Sequence, residues 1–126
     1  MKNILINIGL VIIGLIIGSI VNMFLIILGG ELFQLPEKFN AMNWEIKHFI
    51  FPFLAHAVGT FTGSFFVARI AKTHKLLLAI IIGIVFLSGG IYMVKILPAP
   101  SWFIAVDLIL AYIPMAWLGW KIIKVK

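Results

Sequence analysis

In 126 residues the chain carries 63% hydrophobic side chains, 11% charged ones and a formal net charge of +6. About a quarter of a soluble domain's residues are charged, so this composition excludes an ordinary water-soluble fold and leaves room for one membrane domain, residues 1–126. There is no cysteine, which excludes disulfides, thiolate nucleophiles and cysteine-ligated metals.

Four long apolar runs follow one another. The first, residues 4–28, holds no charged side chain. A hydrocarbon core of about 30 Å takes roughly 20 apolar residues of helix to cross, so this run spans. It is longer than the roughly 7–15 residues of a signal-peptide core, and no A-x-A cleavage pattern follows, so it reads as a retained span. A mixed segment, 29–47, leads to span two at 48–71. The basic turn Lys72-Thr73-His74-Lys75 leads to span three at 76–94, and residues 95–101 lead to span four at 102–120. Backbone in lipid must satisfy its own hydrogen bonds, and barrel strands would be about ten residues long with alternating polarity. The expected fold is therefore an all-α bundle of four transmembrane helices. Pro52 is expected in the first turn of span two, where its missing donor costs little. Ser101 is the expected N-cap of span four. Pro114, inside that span, should free the Leu110 carbonyl and bend the helix.

The mixed segment has order of its own. After Pro36, Phe39, Met42 and Ile46 recur at near-helical spacing, with Glu37 early and Lys47 late, as the helix dipole prefers. This predicts a short interfacial helix in the first outer loop. It reads as a plain amphipathic surface helix. A lid is the alternative, but a lid needs a cavity and the sequence shows none.

Basic residues set the orientation. With both termini inside, seven basic residues (Lys2, Arg69, Lys72, Lys75, Lys121, Lys124, Lys126) lie inside and three (Lys38, Lys47, Lys95) outside. The positive-inside rule then places both termini in the cytoplasm. Trp44, Tyr92 and Trp102 mark the outer interface, and Trp117 and Trp120 the inner one. The net positive charge does not point to nucleic acid, because it sits at helix ends rather than on a soluble face. It reads as topology and contact with anionic lipid.

Small residues form two stripes. Gly14 and Gly18 lie four apart in span one, and Ala55, Gly59 and Gly63 do so in span two. Such stripes let helix backbones approach closely. They serve either as a dimerisation face or as the contact between spans one and two of one chain. A single bundle of four helices buries little surface, and two such faces are on offer, so self-association into a homo-oligomer is expected.

Polar residues inside the spans are few. His56, Thr60 and Ser64 share one face of span two, at i, i+4 and i+8. Asp107 is the only carboxylate within a span. Counted at about 1.5 Å per residue, Asn22, His56, Ser88 and Asp107 all fall roughly 7–12 Å below the outer boundary. Four helices thus contribute one polar residue each at one level. A carboxylate in hydrocarbon is expensive and must protonate, reach water or find a partner. His56 is the partner at that depth, and such a pair would titrate as one coupled unit. The layer is a candidate proton relay, cation site or polar binding pocket; equally it could be an interhelical hydrogen-bond cluster that fixes bundle register. A metal site would need three or four ligands. His48, His56, Asp107 and Glu31 could supply them only with the outer segment folded inward, and no H-x-x-x-H or H-E-x-x-H pattern is present. No metal and no cofactor are expected. No G-x-S-x-G is present either, so no hydrolytic triad is legible.

The stretches FPFLAHAVGTFTGSFFVARIAKTHK (residues 51–75), LPAPSWF (97–103) and DLILAYIPMAW (107–117) resemble a family of small four-span bacterial membrane proteins of uncharacterised activity, hypothetical proteins. The resemblance implies an integral protein of the bacterial cytoplasmic (inner) membrane. It carries no activity, substrate or assigned site. This chain has a shorter outer segment than those members, which weakens the lid reading further.

The functional expectation has two classes. The first is a non-enzymatic, self-associating assembly or accessory protein acting on lipid or a membrane-protein partner. The second is a small proton- or cation-linked transporter or channel using the His56/Asp107 layer. The inner halves of the spans offer few polar residues beyond Thr60, Thr62 and Ser64 to continue a path, which favours the first.

Overall fold

The computed structural model describes residues 2–35 and 40–125. They form five helices: α1 (Lys2–Leu32), α2 (Ile46–Ile70), α3 (Lys75–Ile96), α4 (Ser101–Leu110) and α5 (Ile113–Val125). No strand occurs among the described residues. α1, α2 and α3, with α4 and α5 counted as one broken span, are four helices long and apolar enough to cross a membrane. That is the character of a multi-pass membrane protein.

The helices run longer than the apolar runs, because flanking polar residues continue the same backbone hydrogen bonding. α2 begins at Ile46, so Pro52 lies inside the helix and not in its first turn. Its missing N–H deprives the His48 carbonyl of a helical donor. α4 begins one residue early as well. Pro100, extended at φ −62° and ψ 143°, takes the N-cap position expected of Ser101.

Span four does more than bend. Ala111 N–H closes α4 on the Asp107 carbonyl at 3.0 Å, and Ala116 N–H joins the Tyr112 carbonyl at 2.9 Å in the new helix. Pro114 lies in the first turn of α5, where a proline is tolerated. Its ring and missing donor cannot continue α4, so the helix breaks at Ala111–Tyr112 and restarts.

α2 is the hub and touches every other helix. α1 packs antiparallel on it through the two small-residue stripes. A methyl built on Gly18 would lie 2.6 Å from the Gly59 carbonyl oxygen, and one on Gly59 would lie 2.8 Å from that of Gly18. Gly63 meets Gly14 in the same way, at 2.7 Å from its oxygen. Ala55, on the same stripe, is fully buried. Both stripes are therefore spent on each other within one chain. The premise that a small-residue face stays free for a second copy does not hold.

The half of the bundle nearest the termini is solid. Val67 and Ile82 are fully buried there, among Leu10, Leu15 and Phe86. Ser64 is fully buried and donates to the Ala79 carbonyl at 3.0 Å. His74 takes a left-handed conformation, φ 53°, to turn the chain from α2 into α3. Lys75 follows and donates to the Ala68 and Ala71 carbonyls at 2.7 and 2.5 Å, closing the exposed end of α2. Lys121 and Lys124 lie over Trp117 and Trp120, one turn earlier in each case, at 5.2 and 5.0 Å.

At the other end, Ala41–Asn43 make one 3-10 turn. The Ala41 N–H binds the Pro98 carbonyl at 2.9 Å and ties the first loop to the third. Trp44, Phe49, Trp102 and Phe103 form an aromatic cluster there, with centroids 4.4–5.3 Å apart around Phe49. Of the expected interfacial helix, Glu37 and Phe39 lie outside the described residues, as does Lys38.

The glycine contacts make a stability prediction. Gly18→Ala should lower unfolding stability by about 1–3 kcal/mol, because the methyl forces α1 off α2. Gly9→Ala, on the same helix with nothing within 4 Å of its added methyl, should leave stability unchanged or raise it by up to about 1 kcal/mol. Reversible unfolding in mixed detergent micelles reads both. Equal losses would show that the close approach is not what holds α1.

Candidate functional site

The site begins with one buried carboxylate. Asp107 is the seventh residue of α4 and is 5% exposed. Its Oδ1 lies 2.8 Å from His56 Nδ1 on α2, and its Oδ2 accepts from the Tyr112 hydroxyl at 3.3 Å. The His56 and Tyr112 rings stack, with centroids 5.7 Å apart at 24°. Each carboxylate oxygen thus has a side-chain donor.

The break in span four makes this possible. In a continuous helix, residue i+5 lies about 140° around the axis from residue i. Tyr112 would then point away from Asp107. The interruption at Ala111–Tyr112 turns the phenol back onto the carboxylate. Gly90 on α3 gives it room, since a methyl there would lie 2.7 Å from the hydroxyl.

The hydrogen bond also fixes the imidazole. An ionised carboxylate only accepts, so with Asp107 ionised His56 presents Nδ1–H to it. Nε2 is then the free ring nitrogen, and no side chain among the described residues bonds to it. His56 is partly open to the interior, its side chain 28% exposed.

That interior is a half-open vestibule of about 1160 Å³, in the half of the bundle away from the termini. Its walls come from α1 between Gly18 and Glu31, α2 between Lys47 and Thr60, and α3 between Phe86 and Val94. Asp107 and Tyr112 sit at its floor beside His56, Thr60 and Asn22. Most of the lining is apolar. Two floor atoms have no hydrogen-bond partner among the described residues, Asn22 Oδ1 and Thr60 Oγ1. Leaving such an atom buried and unpaired costs about 1–3 kcal/mol, so both await a donor.

The four residues expected at one level divide. His56 and Asp107 touch, and Asn22 lines the same floor, packed against Gly59. Ser88 does not join them. It is exposed on the outside of α3, and its hydroxyl bonds back to the Ile84 carbonyl at 2.9 Å. Depth along a span does not give direction: one level contains residues on every side of a helix. On the polar face of α2, Thr60 belongs to the vestibule, whereas Ser64 is a packing residue.

The sequence does not single out Tyr112. Tyr112 stands five residues after Asp107 and two before Pro114, and a proline-broken helix is the signal that could have found it. His48 is buried at the mouth, where its Nδ1 accepts the Glu45 N–H at 2.9 Å and starts α2. Among the described residues no three histidine, aspartate or glutamate side chains come together as metal ligands would.

No family model matches the chain, and no curated protein or solved structure matches it.

The His56–Asp107 contact predicts energetic coupling. His56→Ala leaves Asp107 with Tyr112 alone and should cost about 1–3 kcal/mol. Asp107→Asn in the His56→Ala background should cost at least about 1 kcal/mol less than it does alone, since the charge it removes is already stranded. A double-mutant cycle by reversible unfolding measures this. Additivity within about 0.5 kcal/mol would mean that the pair does not interact.

Proposed function

We propose that the chain is a non-enzymatic multi-pass protein of the bacterial cytoplasmic membrane whose vestibule captures a small, largely apolar molecule. The carrying observation is the half-open space of about 1160 Å³ with its polar floor of His56, Asp107 and Tyr112 and two unpaired oxygens. Apolar walls with a few convergent polar groups are the usual make-up of a ligand pocket, and such pockets run to about 1,000 Å³.

Both termini are assigned to the cytoplasm. Lys2, Arg69, Lys72, Lys75, Lys121 and Lys124 gather at the end of the bundle that holds the termini, whereas Lys47 and Lys95 are the described basic residues of the other end. The vestibule then opens toward the outer face. Ala41 and Trp44 of the first loop lie at its mouth, which supports an interfacial segment beside the opening.

Capture of a small molecule shares the non-enzymatic character of the first expected class but goes beyond its organising of lipid or a partner. The lipid bilayer is the surrounding partner. A homo-oligomer or a membrane-protein partner would have to use a surface other than the glycine stripes. The second reading is transport. It is favoured by the break in span four right beside Asp107, because carriers build midplane sites from discontinuous helices. Transport would require the half around Val67 and Ile82 to open as well, and those residues fill it, so capture is preferred.

Gly89 lines the vestibule, with nothing within 4 Å of an added methyl. Gly89→Trp should therefore take up part of the space without disturbing the fold. In nanodiscs, an uncharged solvatochromic dye should give saturable binding above empty discs with the natural chain. Gly89→Trp should abolish it. Absence of saturable binding to the natural chain, or full retention by Gly89→Trp, would contradict the reading.

A further inference from the structure

The floor of the vestibule holds acceptors without a donor partner, and this bears on the chemistry of its occupant. The inference rests on the capture reading above. Asp107 supplies the only formal charge at the floor. At the mouth, Lys47 is held by Glu45 at 3.7 Å, and Glu31 lies on the lining too. No lysine or arginine reaches the level of His56 among the described residues. An anionic head would therefore meet the Asp107 carboxylate, and like charges repel strongly in a low-dielectric site.

The unpaired atoms point the same way. Asn22 Oδ1 accepts, Thr60 Oγ1 can accept, and both are buried without a partner among the described residues. Thr60 is 1% exposed. Asp107 uses one lone pair on each oxygen toward His56 and Tyr112, and a carboxylate offers about four such sites. Three helices thus bring acceptor capacity to the one vestibule: α1 through Asn22, α2 through Thr60 and α4 through Asp107. A hydroxyl would bring a single donor. A protonated primary amine brings three donors and one positive charge on a compact head. Phe51, Phe86 and Tyr112 on the lining add aromatic rings, which favour a cation over a neutral head. The apolar walls suit a hydrocarbon body attached to that head.

We propose that the vestibule takes an apolar-bodied ammonium, an alkyl or aryl amine whose charged head sits at Asp107 and whose N–H groups reach Asn22 Oδ1 and Thr60 Oγ1. Asp107 supplies the charge preference, and Asn22 and Thr60 supply the preference for a head with N–H donors. His56 keeps the carboxylate oriented while the site is empty.

The test uses the full chain in phosphatidylcholine nanodiscs and three probes that share one chain: decylamine, decanol and decanoate. Equilibrium binding is measured by dialysis against empty discs. Decylamine should bind saturably and about tenfold or more tighter than the other two, the difference expected of charge-assisted hydrogen bonds. Asp107→Asn should bring decylamine down to the level of decanol and leave decanol unchanged. Thr60→Val, nearly the same shape, should weaken decylamine several-fold and serves as the readout if Asp107→Asn does not fold. Decanol binding as tightly as decylamine, a preference for decanoate, or an amine preference that survives a folded Asp107→Asn would each overturn the ammonium assignment while leaving capture intact. Absence of saturable binding by all three would overturn the capture reading and this inference with it.

Discussion

A carboxylate enclosed by apolar helices has to be answered by donors, and the answer to Asp107 shapes half of the molecule. His56 comes to it from α2 and Tyr112 from beyond the break in span four. The break, the stacking of phenol on imidazole and the small residue at Gly90 all serve this one group. An unpaired charge in low dielectric is far more costly than an interrupted helix. The interruption is thus the cheaper feature, and it is where Pro114 already weakens the backbone ladder.

The same bundle is closed at one end and open at the other, for a reason visible in its glycines. Gly14, Gly18, Gly59 and Gly63 let α1 and α2 approach until backbone meets backbone. Large side chains, Val67 and Ile82, then fill what remains. Beside the Gly18–Gly59 contact lie Asn22, one turn farther along α1, and Thr60, next to Gly59 on α2; Asn22 Oδ1 and Thr60 Oγ1 find nothing to bond among the described residues. Close packing gives way to the vestibule at that point. At the far rim Ala41 and Pro98 join two loops, so the space is framed by backbone hydrogen bonding. The polar floor therefore lies at the boundary between sealed and open halves, where a ligand head can be met without a continuous pore.

Much of the fold was legible because length and apolarity alone decide it. Four runs of this size become four helices, and the short basic turn at Lys72–Lys75 leaves only an antiparallel return. The His56–Asp107 contact was legible from depth, since an expensive group needs a partner at its own level. What depth cannot supply is direction. Ser88 shares the level and points outward. Tyr112 lies on the wrong face of an ideal helix, and it reaches Asp107 only because the helix is interrupted. The vestibule itself was invisible for a related reason. It is a property of how four helices diverge, set by Gly89 and Gly90 on one wall and by loop contacts at the rim, and no single run of residues encodes it. The glycine stripes were legible as contact surfaces but not as whose: spacing is the same for a partner within the chain and for one outside it.

The central claim is that Asp107 holds the Nδ1–H of His56 and leaves Nε2 free at the vestibule floor. The most direct measurement is solid-state NMR of the ¹⁵N-labelled histidine rings with the protein in bilayers. His48, whose Nδ1 accepts from the Glu45 N–H, provides the opposite arrangement within the same molecule. His56 should carry a hydrogen-bonded proton on Nδ1, its signal should change in Asp107→Asn, and the His48 signals should not. A His56 ring with an unprotonated Nδ1, or one indifferent to the loss of the Asp107 charge, would contradict it.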